Sequence, residues 1–317
     1  ATPVARVGVV YSQQTAAQYG GEDAQAKVED PILGVYQALI EARIPFEMVH
    51  DKLLDAEYVD RFKTLILPNV AALSDVQCQQ LRDFVKRGGS LIATLETSRY
   101  NEAGQRRETF GLADLFGVRC TGEVQGPTKN TYVRLERDAP AADVWLDGLT
   151  NAARIIGGVY RVPVEATTAF PPQPLAFIPS YPDLPMEEVY PRQAKTAIPE
   201  VYTREVGHSG GRVVYFPWDI ARVFWEVLNA DHATLLRNAV QWAADDEDPP
   251  VTVTGPGVLD VTVWRQRASL TVHLVNLTNP MMMKGPMREL IPLAAQRVRI
   301  RLPEGHRATR VHLLKAN

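Results

Sequence analysis

The chain has 317 residues, 45% hydrophobic and 22% charged, with 34 basic against 37 acidic side chains and a formal net charge of −3. That composition belongs to a globular protein long enough for a sizeable core and for two or three domains. No basic block tracks a nucleic-acid backbone, and no apolar run approaches the ~20 residues of a membrane-spanning helix, so both partner classes are argued against.

Two cysteines, Cys78 and Cys120, make neither a disulfide framework nor a zinc site, and the six histidines show no metal spacing. No phosphate-cradling glycine loop is present, so no cofactor or metal is expected. The chain starts at Ala1 without a signal-like segment, and Val7–Tyr11 already reads as a strand. It is expected to be the later part of a longer chain, or one from which a leader was removed. The compartment stays open between cytoplasmic and exported.

RVGVVY at 6–11 reads as the first strand, and the polar, glycine-containing stretch 12–30 as a long loop at its carboxyl end. Pro31 opens a helix with Asp30 as its N-cap, and Ile32, Val35, Tyr36, Leu39 and Ile40 form one apolar face. Residues 45–50 and 63–67 read as the second and third strands. Ser74 and Asp75 cap a helix whose apolar positions are Val76, Leu81, Phe84 and Val85, and Gly88-Gly89 stops it. Residues 90–94 are the fourth strand. This alternation predicts an α/β fold, a doubly wound, flavodoxin-like parallel sheet covered on both faces.

From Gly111 the texture changes. Residues 112–118 suggest a short helix ending at Gly117; 132–135, 155–164 and 175–178 suggest strands; seven prolines between 171 and 191 mark an irregular loop. RVVYF at 212–216 is a strand, Pro217-Trp218-Asp219 a turn, and two helices follow, the second over 232–244. The acidic, proline-terminated run 245–250 is the best boundary. The predicted domains are 1–245, a linker at 246–250, and 251–317. The last alternates with period two at 259–264, 270–275 and 297–302, with a final strand at 309–314, and reads as a small all-β sandwich.

A doubly wound sheet presents its chemistry on the turns after its strands. After the fourth strand that turn is Leu95-Glu96-Thr97-Ser98, with no cysteine and no G-x-S-x-G pattern, so no intact nucleophilic triad is expected and no catalytic residue is assigned. Glu96 and Thr97 are candidate sugar or cleft contacts, though a polar residue capping a turn explains Glu96 more simply. Glu187 and Glu188, in the proline-rich loop, are also candidate sugar or cleft contacts, on a loop placed to border a partner's active site; a solvated loop explains them more simply, and adjacent residues point apart, which does not suit the spaced pair of glycoside hydrolysis. Glu165 and Glu200 stand alone. Trp218 is the ring expected to be exposed as a sugar platform, while Phe224 and Trp225 belong to a buried helix face. Asp219 is a further candidate contact, but its place at a strand end suits capping the next helix. The Met281–Met283 loop suits a contact with a neighbouring domain or subunit.

Residues 1–245 resemble the trimerisation domain of family 42 β-galactosidases and related large glycoside hydrolases. The resemblance rests on RVGVVYS, on TLILPNVAALSDVQCQQLRDFVKRGGSLIATLETS and on GGRVVYFPWDIARVFWEVLNADHATLLRNAVQWA. The β-rich tail, with HLVNLTNP at 273–280, resembles the small C-terminal β domain of the same proteins. The resemblance implies a class I glutamine-amidotransferase-like fold, homotrimer contacts, and a catalytic (β/α)8 barrel upstream of Ala1 that carries the carboxylates and the carbohydrate substrate. This chain is then a non-catalytic region that assembles the oligomer and shapes the cleft. Two alternatives stay open: a stand-alone glycan-binding module using Trp218, and a hydrolase using Glu96 with a loop acid such as Glu188.

Overall fold

The computed structural model describes all residues except 182–190, 192–193, 208–209, 245–248, 280–285, 303 and 315–317. The chain forms two compact units, Ala5–Asp246 and, separately, Ala1–Val4 with Glu247–Asn317. The class is mixed α/β, with one largely parallel sheet and several antiparallel ones.

In the larger unit six strands make the central sheet: β1 (Val7–Tyr11), β2 (Phe46–His50), β3 (Thr64–Leu67), β4 (Ser90–Thr94), β5 (Tyr202–Val206) and β6 (Gly211–Phe216). Their spatial order is β2-β1-β3-β4-β6-β5. All pairs are parallel except β5 with β6, which is antiparallel. Nothing in the composition of β5 announces it, because Arg204 and Glu205 interrupt its apolar residues; its pairing with β6 makes it a strand. β3 and β4 are buried along their whole length, which is why they read as unbroken apolar runs rather than as alternations.

Four helices cover the sheet: α1 (Asp30–Glu41), α2 (Asp75–Lys86), α3 (Ile220–Val227) and α4 (Ala230–Ala243). On one face Leu65, Leu67, Leu91, Ala93, Val213 and Tyr215 share a core with Cys78, Leu81, Phe84 and Val85 of α2. Helices α1 and α4 pack on the sheet as well, and α3 packs on both of them. Helix α1 approaches α3 so closely that a Cβ on Gly34 would lie 1.9 Å from the carbonyl oxygen of Ala221, so the crossing requires glycine.

Local sequence explains how α2 starts and stops. Ser74 Oγ accepts from the Gln77 N–H (3.1 Å) and Gln77 Oε1 accepts from the Ser74 N–H (2.8 Å), a reciprocal capping box. Gly88, at φ 97°, provides the left-handed exit. Val76 does not belong to the buried stripe; it is 69% exposed, and Cys78 takes that place at the spacing that meets Leu81 and Val85.

Stretch 12–30 is not a loop. It holds short helical turns at Gln13–Thr15, Ala16–Gly20, Gly21–Asp23 and Gln25–Glu29 that run directly into α1. Its alanines, glutamines and lysine favour helix, and the Gly20-Gly21 doublet, with Gly21 at φ 57°, hides that by breaking the run. Asp30 therefore lies inside the first turn of α1 and does not cap it. The expected strand at 155–164 is two short ones, Arg154–Ile156 and Val164–Ala166, with Gly157-Gly158 between them. Arg154–Ile156 joins Tyr132–Leu135 and Leu175–Ile178 in a small antiparallel sheet.

In the smaller unit, Leu259–Arg265 pairs with Leu270–Asn276 and with Thr2–Pro3, and Val251–Thr254 pairs with Arg297–Ile300, all antiparallel. Val251, Val253, Leu259, Val261 and Val263 form its core, the alternate residues of two strands. Residues 309–314 are not a strand: they pair with nothing in a sheet, and Val311, Leu313 and Leu314 are exposed. Alternation alone makes no strand without a neighbour to complete the ladder.

Candidate functional site

The turn after β4 is strained. Leu95 has φ 50° and Ser98 φ 64°, and across from them Asn69, at the end of β3, has φ 51°. Asparagine tolerates this region through its short polar side chain; for leucine it costs on the order of 1–3 kcal/mol, which the surroundings must hold. They do so by direct bonds. The Leu95 N–H donates to the carbonyl of Phe216 (2.8 Å), and the Leu95 carbonyl accepts from Tyr215 Oη (2.6 Å). Thr97 Oγ1 donates to the carbonyl of Thr94 (2.7 Å), and the Ser98 N–H donates to that of Val70 (2.9 Å).

A strained residue at this edge is where an α/β hydrolase presents its nucleophile. Here the two residues at positive φ are Leu95, aliphatic and buried, and Ser98, fully buried with its Oγ accepting from the Leu112 N–H (3.1 Å). Both hydroxyls of the turn, Thr97 Oγ1 and Ser98 Oγ, are buried and engaged with backbone groups.

Glu96 is next. Its N–H donates to Asn69 Oδ1 (3.0 Å), while Asn69 Nδ2 donates to the carbonyl of Lys27 (2.8 Å). Its carboxylate is 7% exposed, with Oε2 accepting from Tyr19 Oη at 2.6 Å and Oε1 3.5 Å from Tyr100 Oη. The two tyrosine rings, 5.2 Å apart, lid the carboxylate. Burial pushes the Glu96 pKa up, and the hydrogen bond from Tyr19 and the charges of Arg106, Arg99 and Lys27 pull against it. Tyr19 is raised by burial first and by the Glu96 charge second. The arrangement holds the helical turns of 13–29 against the elbow. Thr97, fully buried, is part of the same support. Tyr19 is the contact that sequence reading missed, since it lies 77 residues away in a stretch taken for loop.

Trp218 is not an exposed platform. It is 1% exposed, its Nε1–H donates to the carbonyl of Glu200 (2.9 Å), and its ring meets Phe216 and His232 edge-on at 6.3 and 5.4 Å. The aromatic composition of 215–225 supplies core, and the indole finds a backbone partner there. Asp219 does not cap α3 with its side chain. Its Oδ1 instead accepts from the N–H groups of Val159 (3.0 Å) and Tyr160 (3.1 Å), and its Oδ2 from Arg222 Nε (2.9 Å). Burial raises the Asp219 pKa, opposed by Arg222 and by these bonds. Asp219 is thus a tie between the β6 exit and the loop of Gly157–Tyr160.

Glu187, Glu188 and Met281–Met283 lie outside the described residues. Among the described residues no group of three or more His, Cys, Asp or Glu is placed to hold a metal ion, and no helix is long and apolar enough to cross a membrane.

Residues 5–168 match the family model of the β-galactosidase trimerisation domain, more than half of the chain. No curated protein sequence matches. Among solved structures, the chain is similar to a β-galactosidase from Bacillus circulans sp. alkalophilus (TM-score 0.63, 15% identity, 86% of this chain and 36% of that one). It is also similar to α-L-fucosidase isoenzyme 2 from Paenibacillus thiaminolyticus (0.65, 18%, 95% and 42%). A β-galactosidase from Rahnella sp. R3 gives 0.64 at 14% identity, over 93% and 40%. At these identities the likeness is one of fold, and the chain spans well under half the length of each of these structures. The match over residues 5–168 shows the family: the chain belongs to the β-galactosidase trimerisation domain family.

Proposed function

We propose that this chain is the non-catalytic C-terminal region of a carbohydrate-active, β-galactosidase-like glycoside hydrolase. It self-associates as a homotrimer and shapes the cleft of a (β/α)8 barrel carried upstream. The observation that carries the reading is the family match over residues 5–168. The elbow supports it: Leu95 stands at the strained position, and Glu96 beside it is closed off by Tyr19 and Tyr100. Its contribution to hydrolysis is positional, holding neighbours so that the barrel's carboxylates meet the sugar.

We read the central sheet as amidotransferase-like, supported by the flavodoxin-like order β2-β1-β3-β4. The five core positions shared by Val251–Thr254 and Leu259–Arg265 support a small sandwich for residues 251–317 after a linker at 246–250. Met281–Met283 and the Glu187-Glu188 loop are proposed as contacts toward neighbouring domains or the cleft rim. The test is sedimentation equilibrium together with a nitrophenyl-galactoside assay on the purified chain. The expected result is a species three times the 35.2 kDa monomer, with no turnover. A strictly monomeric chain, or one that hydrolyses the glycoside, overturns the reading.

A further inference from the structure

Residues 13–29 run into α1 without a break, yet the two stretches are held by different forces. Helix α1 buries Gly34, Val35, Ala38, Leu39 and Ile40. Between 13 and 29 only Val28 is a buried hydrophobic side chain, while Ala16, Ala17, Gln18, Glu22, Asp23 and Gln25 are exposed. What holds this stretch down is polar. At its root Ser12 Oγ donates to Asp51 Oδ2 (2.7 Å), which also accepts from the Gln14 N–H (3.0 Å). Gln14 Nε2 donates to the Ala72 carbonyl (3.1 Å), and Thr15 Oγ1 accepts from the Ala72 N–H (3.1 Å). Tyr19 Oη donates to Glu96, and the Lys27 carbonyl accepts from Asn69 Nδ2. Asp51 follows β2, Asn69 and Ala72 follow β3, and Glu96 follows β4, so the stretch lies as a strap across the carboxyl edge of the sheet.

The strap's own backbone is irregular. Two wide π-helical turns, Ala16–Gly20 and Gln25–Glu29, flank Gly20-Gly21, and Gly21 holds φ 57° with open space where a Cβ would stand. Such turns are rare and recur at functional sites. Opening the strap exchanges a handful of hydrogen bonds for bonds to water, each of small net value. Opening α1 or the sheet exposes apolar core. A segment with few buried apolar contacts and a solvent-facing backbone opens at a lower free energy than the core it rests on.

We propose that residues 13–29 are a strap that opens as one unit while the sheet and α1 stay folded, with the Tyr19–Glu96 bond as its latch. Closed, the strap seals the carboxyl edge. Open, it gives the Glu96 carboxylate, the Asn69 side chain and the Ala72 backbone to solvent together. That is the edge at which doubly wound sheets receive ligands. The strap lies within one unit of one chain, so the proposal does not depend on the assembly reading above.

Native-state hydrogen exchange tests it, on the whole 317-residue chain at guanidinium concentrations below the unfolding transition, read by mass spectrometry of peptides. Peptides from both halves of 13–29 are expected to share one opening, at least ~100-fold more frequent than that of peptides from β3 and β4. Leu91→Ala, in the core at the amino end of β4, is expected to make β3 and β4 exchange at least ~30-fold faster and to leave the strap unchanged, because the open strap keeps that core. Tyr19→Phe is expected to speed exchange of both halves of the strap by one factor of at least ~5. If Leu91→Ala does not fold, the parent's own strap and sheet rates decide. A strap that exchanges only together with β3 and β4, halves that open independently, equal acceleration of strap and sheet by Leu91→Ala, or strap exchange unmoved by Tyr19→Phe overturns the proposal.

Discussion

Tyr19 Oη donates a 2.6 Å hydrogen bond to Oε2 of Glu96 and so fastens the helical turns after β1 to the elbow after β4. The bond buries the Glu96 carboxylate at the carboxyl edge of the central sheet. Removing the donor leaves a buried carboxylate oxygen without its partner. Tyr19→Phe is expected to destabilise the chain by about 1–3 kcal/mol, read by urea denaturation. Stability within a few tenths of the parent would show that the lid carries no structural weight.

Asp219 makes three bonds at once, to the N–H groups of Val159 and Tyr160 and to Arg222. Asp219→Ala removes the acceptor of two partly buried N–H donors and one of two carboxylate partners of Arg222, which keeps Glu226 (2.9 Å), and a loss of about 1–3 kcal/mol is expected. Hydrogen exchange should locate the damage: the amides of Val159 and Tyr160 lose protection, while those of β3 and β4 keep theirs relative to global unfolding. Uniform loss would contradict a local tie.

Gly34 faces the Ala221 carbonyl across the α1–α3 crossing. Gly34→Ala places a methyl 1.9 Å from that oxygen, so the helices must separate. The expected cost is about 1–3 kcal/mol or more, against the small gain that Ala brings to an open helix position. A melting temperature equal to or above that of the parent would refute the close crossing.

Glu200 provides a pH dependence with a defined sign. Burial pushes its pKa from 4.5 up to about 7, against the pull of Arg161. Between those values the folded chain holds a proton that the unfolded chain has released. The stability tied to this group is therefore fully present below about pH 4.5 and is lost as pH rises through about 7. Relative to Glu200→Gln, the parent should lose on the order of 1–3 kcal/mol across that window. Denaturant midpoints of both proteins at several pH values check it, and a difference that grows with pH in the parent's favour has the wrong sign.

Cys78 and Cys120 are both pushed up to about 11 by burial. Near pH 8 their thiolate forms are about a hundredfold scarcer than for a thiol at 9.0, the ordinary value. Ellman's reagent should label the native chain at least that much more slowly than the urea-unfolded chain. Prompt labelling of one thiol in the native chain would place it in an open, polarised setting.

Much of this molecule was legible in its residues because the signals are local. Buried strands such as Thr64–Leu67 and Ser90–Thr94 show as apolar runs, and the Ser74–Gln77 box and Gly88 mark the ends of α2 within a few residues of each other. The three quoted segments were enough to indicate the family, because strand, turn and helix follow one another in chain order.

Only the tertiary structure decided what each polar or aromatic residue touches. Trp218 looks like a platform until β6 carries it under Glu200 and His232. Asp219 looks like a helix cap until the loop of Gly157–Tyr160, some 60 residues upstream, presents two amides to it. Arg161 and Glu200, 39 residues apart, carry no shared motif, and their buried ion pair exists only because the fold brings the loop after Gly158 against the segment that enters β5. Periodicity and capping are short-range and survive in one dimension. Pairing between distant side chains is set by which elements the packed sheet brings together, and no window of sequence contains it.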